Sequence, residues 1–429
     1  MFNFIFFTKN KNKTLKEKKY TVFWDSLIIN IFTGLAVFLF WAIIDSMDFF
    51  NPLDEFIDNF DFTDLYFSEF QPEEPTDTNI FIVNIGNLNR KEIADLIFKI
   101  QKFEPRVIGI DAVFAERRGP EDFYLRQALN SGNNIILGAF GKYENDNPVG
   151  IIKSDEFFGD LPVGHLEMIL YPRVVREFDK FIRYNDTIVN SFSMEVISKY
   201  DKNIFLNYAQ RKNQTELINY RGGRMPFIIF DYEEISDTNE NLIMLKDKIV
   251  LLGYVRMFAG APADTLDAFF TPQQKSEYGY PDAKGIEVHA HIISMILSGV
   301  FLKKVPIWLN YLIAFIILQL FIMWLVYYYV NGEKYFDILS KPIQFLLIVI
   351  VLWISFYLIS KFLIKFDMLP TVLALVLCID VLYLYEETME LFKIDTYLTQ
   401  KFKYTKEDRK QVMSKIFRIF KRNLNKNFL

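Results

Sequence analysis

The chain has 429 residues, 51% apolar and 17% aromatic yet 24% charged, a mixture that one uniform globule cannot accommodate. The charge is segregated: Asp45 to Leu302 carries 41 acidic and 25 basic residues, against 12 and 23 elsewhere. An acidic middle between basic, apolar ends reads as an integral membrane protein with one large water-exposed domain. That domain repels phosphate, which excludes a nucleic-acid partner. The single cysteine, Cys378, excludes an intramolecular disulfide and a cysteine-built metal site.

Residues 1–25 form a basic N-terminus with six lysines between Lys9 and Lys19. Residues 26–44 carry no charge and are long enough to cross a hydrocarbon core of about 30 Å. No small-residue cleavage site follows them, so they are expected to be an uncleaved anchor. Residues 45–304 make the water-exposed domain. Three further spans are expected at 305–330, 342–360 and 368–385, and a basic amphipathic tail at 386–429. Four spans put both termini on one side, and both ends are rich in Lys and Arg. The termini are therefore expected in the cytoplasm and residues 45–304 outside. Lys303, Lys304, Lys361 and Lys365 run against this rule but are fewer than the tail charges.

Leu53, Phe56, Ile57 and Phe60 recur at helical spacing and predict a helix leaving the membrane. Ile80–Ile85 is a short β-branched run that suits a buried strand. From Asn89 to Lys102 the apolar residues Ile93, Leu96, Ile97 and Ile100 mark one helix face, and Pro105 ends it. Val107–Asp111 reads as a second strand. Strand, helix and strand in some thirty residues is a βαβ unit with parallel strands and a right-handed crossover. A second crossover helix, Glu121–Asn130, leads to a strand at Ile135–Gly138, and Lys248–Gly253 has the same buried-strand pattern. Leu166–Tyr184 alternates loosely, as a hairpin insertion would. The fold class is thus an α/β extracytoplasmic domain, a mostly parallel sheet with βαβ units, plus four transmembrane α-helices.

Ligands of open α/β sheets bind beyond the carboxyl ends of the strands. Asn84, Asp111 and Gly253 end three expected strands, so they and the following Asn87, Arg117 and Arg256 are expected to crowd one edge; Asn84, Asp111, Arg256 and the loop residue Asp264 are the candidate ligand-binding set. The competing reading is that Asp111 braces the loop that follows it. His289 and His291, two apart on a helix, point about 200° apart and cannot share a metal. Glu287 and His291 are spaced to pair. No metal site or cofactor is expected, and no nucleophile elbow, phosphate loop or zinc-protease motif supports an enzyme. Asp380 stands inside the fourth span, where a carboxyl faces either a partner helix or, near the end of the span, water. After Thr405 the residues Val412, Met413, Ile416, Phe417, Phe420 and Leu424 make one apolar stripe flanked by Lys and Arg. Such a helix lies on the anionic inner leaflet or docks on a protein partner. Asp380, Ile416, Phe417 and Phe420 are the candidate partner contacts.

Taken together these segments resemble a CHASE2 domain, the extracytoplasmic sensory module of many bacterial membrane receptors. Ile80–Ile85 is similar to the family's opening strand, and Gly109-Ile110-Asp111-Ala112-Val113-Phe114 to its Gly-x-Asp-x-x-Phe segment. Asn219-Tyr220-Arg221-Gly222 resembles its Asn-Tyr-Arg-Gly turn. Lys248–Gly253 resembles the next strand, Asp264 with Thr271-Pro272 the loop, and Gly285–Ala290 the start of the last helix. One anchor before the domain and three spans after it fit as well. The chain departs from the pattern after the first strand, where it has Asn84, Gly86 and Asn87 instead of an acid. It departs again at Tyr171–Arg176, where relatives carry Asp-Gly. The resemblance implies a receptor-like sensor. Only 44 residues follow Tyr385, too few for a cyclase, kinase or phosphatase domain, so the signal is expected to leave through a separate protein. The alternative is a non-enzymatic scaffold subunit of a cell-envelope complex. Partners are the lipid bilayer, a protein in the membrane, periplasm or cytoplasm, or a second copy of the chain.

Overall fold

The computed structural model describes residues 22–46, 61–86, 88–145, 147–171, 174–184, 187–223, 225–237, 241–255, 267–273, 281–331 and 335–399. The helix expected from Leu53 to Phe60 and the stripe after Thr405 lie outside them. The chain divides into two compact units. One holds Met47–Val305 with Ile354–Asp367, the other Met1–Ser46, Pro306–Trp353 and Met368–Leu429.

The first unit is built on a seven-stranded sheet. In chain order its strands are β1 (Asp77–Asn84), β2 (Val107–Ile110), β3 (Ile135–Glu144), β4 (Asn147–Ile152), β5 (Val163–His165), β6 (Phe227–Phe230) and β7 (Ile249–Gly253). Their spatial order is β6-β1-β7-β2-β3, after which β5 pairs the first half of β3 and β4 the second half. Every pairing is parallel except β3 with β4. The expected βαβ unit is present: α2 (Arg90–Gln101) links β1 to β2, and α3 (Glu121–Leu129) links β2 to β3.

Both faces of the sheet are covered, as parallel sheets require, so its strands read as continuous apolar runs. Alternation still assigns each side chain to a layer. Phe81, Val83, Ile108, Ile110, Val250 and Leu252 pack with Ile93, Ile97 and Ile100 of α2 and Leu125 of α3. Ile80, Ile82, Val107, Ile249 and Leu251 pack on the other side, with Phe192, Val196 and Ile197 of α4 (Phe192–Tyr200) and Ile286, Ile293 and Ile296 of α5 (Gly285–Ser298). Gly109 lies where α4 approaches β2. A Cβ there would meet Phe192 Cζ at 2.8 Å and Val196 Cγ2 at 3.0 Å, so only glycine admits that packing. Residues 169–217 contribute a three-stranded antiparallel sheet, in the order 215–217, 174–179, 169–171, and a hairpin of 181–184 with 187–190. Tyr220 is fully buried and its hydroxyl donates to Val175 O at 2.7 Å. The Arg221 guanidinium donates to Pro75 O at 3.0 and 2.6 Å. The Asn-Tyr-Arg-Gly turn is therefore a structural tie.

Four helices are long and apolar enough to cross a membrane: α1 (Val22–Ser46), α6 (Ile307–Asn331), α7 (Phe336–Phe362), whose residues 354–362 group with the first unit, and α8 (Leu369–Leu391). α7 starts six residues before Pro342, which membrane helices tolerate in their interior. α8 runs past the expected end at Tyr385, and the buried Glu386 accepts there from the Tyr329 hydroxyl. Polar groups on the spans find each other. Asn30 donates to Gln319 Oε1 at 3.0 Å and to Phe315 O at 3.1 Å, and Gln319 donates to Ser26 Oγ at 2.8 Å. Such bonds hold helices together where lipid supplies no hydrophobic drive.

Candidate functional site

At the carboxyl ends of the sheet, Asn84 closes β1. Its Oδ1 accepts from the backbone N–H groups of Gly86 at 3.0 Å and Val255 at 3.1 Å, and its Nδ2 donates to Asp231 Oδ1 at 2.9 Å. The residue clamps the exits of β1 and β7, and three of its four hydrogen-bonding positions are spent on the fold.

Asp111 follows β2, and its backbone N–H continues the ladder to Leu252 O at 2.8 Å. Its carboxyl is drawn inward: Oδ2 is buried and has no hydrogen-bond partner among the described residues. Burial, reinforced by the negative charge of Asp267, pushes the Asp111 carboxyl well above the usual carboxylate range.

Asp267 stands just before a two-stranded ribbon formed by Ala268–Phe269 and Ala283–Lys284. Its φ of 52° is the left-handed conformation that Asp tolerates better than most residues. Its carboxylate accepts from the backbone N–H of Gly285, at the start of α5. A Cβ on Gly285 would come within 2.6 Å of Asp267 Oδ1, so glycine is needed for this contact. Desolvation raises the Asp267 carboxyl, against the opposing pull of Gly285 and Lys284. Asp282 accepts from Thr271 N at 2.7 Å and from its hydroxyl at 2.5 Å, and desolvation pushes it up to about 6. Glu287 accepts from Lys284 N at 2.8 Å, closing the first turn of α5, and burial raises it too. The Lys284 ammonium lies 4.5 Å from the centre of the Tyr254 ring. Among the described residues, Lys284, Asp267 and Asp282 bear electrostatically on Glu287 in the first turn of α5, and Asp267 bears on Asp111. A proton or another cation arriving here changes the charge balance at the head of that helix.

Of the expected ligand set, the structure brings Asn84 and Asp111 to this edge, while Arg256 and Asp264 lie outside the described residues. Asp380 sits on the outer surface of α8, and Ile416, Phe417 and Phe420 lie outside the described residues. The reading missed Asp267, Asp282 and Lys284. The only signal available for them was Lys284-Gly285 followed by an acid at 287, the mark of a helix start.

The histidines are core residues. Glu287 does not pair with His291, whose Nδ1 accepts instead from Arg221 N at 3.0 Å. His289 Nδ1 meets Ser193 Oγ at 3.0 Å. Both rings are almost fully buried, and burial lowers each to about 3, so both are neutral. Among the described residues no three His, Cys, Asp or Glu side chains converge as a metal site.

Comparisons with curated proteins and with solved structures return no match. A model of the CHASE2 domain matches residues 37–328, from within α1 through the whole α/β unit into α6. CHASE2 domains are sensory rather than catalytic. With most of its length matched, the chain belongs to the CHASE2 domain family.

Proposed function

We propose that the protein is a receptor-like sensor of the bacterial cytoplasmic membrane, with its α/β unit outside and both termini inside, and that it signals through a separate protein. The carrying observation is the buried Asp111 Oδ2, which has no hydrogen-bond partner among the described residues, at the carboxyl edge of the sheet in a domain from a sensory family. The ligand that fits it donates hydrogen bonds or carries positive charge, since Asp111 Oδ2 offers an acceptor beside the Asp267 carboxylate. The first turn of α5 lies at this edge, and eight residues separate its last residue, Ser298, from the first of α6, Ile307. A change of charge at the head of α5 therefore has a short covalent route to a span. The basic N-terminal segment and tail support the orientation.

The test compares three strains: wild type, a deletion, and Asp111→Asn at unchanged protein level. A sensor requires Asp111→Asn to reproduce the transcriptional changes of the deletion. If Asp111→Asn behaves as wild type while the deletion alters envelope composition, the protein is a scaffold.

A further inference from the structure

The α8 helix packs on α1 and α6 with one side. Its other side carries Val376, Asp380, Leu384, Glu387 and Leu391, all exposed and recurring at helical spacing. Asp380 makes no hydrogen bond or ion pair among the described residues. It stands eleven residues from each end of the helix, about 16 Å from either at about 1.5 Å per residue. The next exposed carboxylate on this face, Glu387, is seven residues on, or about 10 Å. An Asp side chain has two bonds beyond Cβ and cannot reach that level by snorkelling, as a Lys or Arg could. A carboxyl held at this depth on the lipid side of a helix is normally met by a partner.

The four spans do not offer the partner's charge. All four spans are described, and α1, α6 and α8 contain no Lys, Arg or His. The two lysines of α7, Lys341 and Lys361, lie within five residues of its ends. A second copy docked along α8 would set Asp380 against its own equivalent. Asn30 and Gln319 are already bonded to each other, and the Gln344 amide of α7 donates to the carbonyls of Leu375 and Val376 on α8 instead.

We infer that the outer face of α8 is the docking surface for a transmembrane helix of a different protein, which carries a Lys or Arg in mid-span opposite Asp380. This rests on the proposal that a separate protein carries the signal, and it states the chemistry of that protein's membrane segment. Val376 and Leu384, one turn to either side of Asp380, would pack against the partner helix and exclude lipid from the ion pair.

The test uses the full-length chain in lipid nanodiscs, labelled at an added C-terminal tag, with three designed 20-residue Leu/Ala transmembrane peptides. These carry Lys, Leu or Asp at their centre, and association is read by energy transfer. The Lys peptide should bind the wild type at least tenfold more tightly than the Leu peptide. That preference should vanish in Asp380→Leu and Asp380→Asn, and Asp380→Lys should switch it to the Asp peptide. Asp380→Leu makes the span more apolar, so poor insertion is not its expected failure, and the charge reversal gives an independent readout. Equal binding of the Lys and Leu peptides by the wild type would overturn the inference. So would a dimer of the chain that Asp380→Leu dissolves, which would name a second copy as the occupant. Either result leaves the role of Asp111 in sensing untouched, because that is read in the strain comparison.

Discussion

Replacing His289 and His291 with Asn should convert an acid-labile α/β unit into one that tolerates acid. Both imidazoles are buried on α5, His289 against Phe192 with ring centres 5.0 Å apart, and His291 between Tyr220 and Phe227. Folding lowers each from an ordinary 6.5 to about 3. The unfolded chain therefore binds protons that the folded chain refuses. Stability from the neutral rings is whole above pH 6.5 and is lost as pH falls from there toward 3. At pH 5 the loss is about 2 kcal/mol for each histidine, or about 4 kcal/mol for the pair. The raised carboxyls of Asp111, Asp282 and Glu287 act oppositely, stabilising below the unfolded value near 4 and ceasing as pH rises through their folded values. The wild-type profile sums both effects, but the difference between variant and wild type isolates the histidines. Asn keeps an acceptor close to the position of Nδ1, so Arg221 N–H and the Ser193 hydroxyl stay bonded. Loss of the ring atoms costs about 1–3 kcal/mol at every pH. All five tryptophans lie in the spans, so unfolding of this unit is best followed by pulse proteolysis in urea on the full-length protein in nanodiscs. Between pH 7.5 and 5 the double variant should gain about 4 kcal/mol relative to wild type. A difference that does not change with pH would refute the claim that the folded rings stay neutral.

The other predictions follow from single contacts. Gly109→Ala should destabilise the same unit by about 1–3 kcal/mol, because its Cβ is forced onto Phe192 and Val196; urea midpoints read this directly. Asp111→Asn should leave stability at neutral pH within about 1 kcal/mol of wild type. Its advantage should grow as pH rises, since the raised carboxyl loses its stabilising proton and the amide does not; a widening deficit would show that Asp111 braces the loop. Cysteines placed at positions 150 and 365 should react with an impermeant reagent in intact cells and those at 5 and 425 should not, against the buried Cys378; reaction at either terminus would reverse the orientation.

Much of the framework is readable because burial leaves periodic traces. β1, β2 and β7 read as strands because a sheet covered on both faces uses β-branched residues without interruption. α2 reads as a helix because Ile93, Ile97 and Ile100 recur with its turn and Asn89 caps it through Lys91 N and Glu92 N. The edge of the sheet is harder, and the reason is chemical. Strand ends are visible, so Asn84 and Asp111 could be named, yet whether a polar residue is spent or free depends on partners far away in sequence. Asn84 is held by Val255 and Asp231, and nothing around it in the chain announces those bonds. Asp267 and Lys284 reach the site by a two-residue ribbon too short to carry a pattern. The histidines mislead for a related cause: spacing on α5 suggests a Glu287–His291 pair, but a buried ring takes the donor that packing brings, here the N–H of Arg221.

The departures from the family pattern acquire a physical meaning at this point. Relatives usually carry an acid after the first strand; this chain has Asn84, and its amide is built into the joints between β1, β7 and Asp231. A carboxylate there could accept from Gly86 and Val255, but it would face Asp231 with a second negative charge instead of a donor. The edge keeps its negative character elsewhere, in Asp111 and in Asp267 at the head of α5. Protonation or a bound cation at Asp111 and Asp267 acts directly on the first turn of α5, whose Gly285 N–H the Asp267 carboxylate holds. Asp267→Asn keeps that acceptor and removes the charge. Under the sensory reading it should therefore hold the protein in its ligand-bound output without ligand, whereas Asn84→Asp should weaken the fold around β7 and leave that output unchanged.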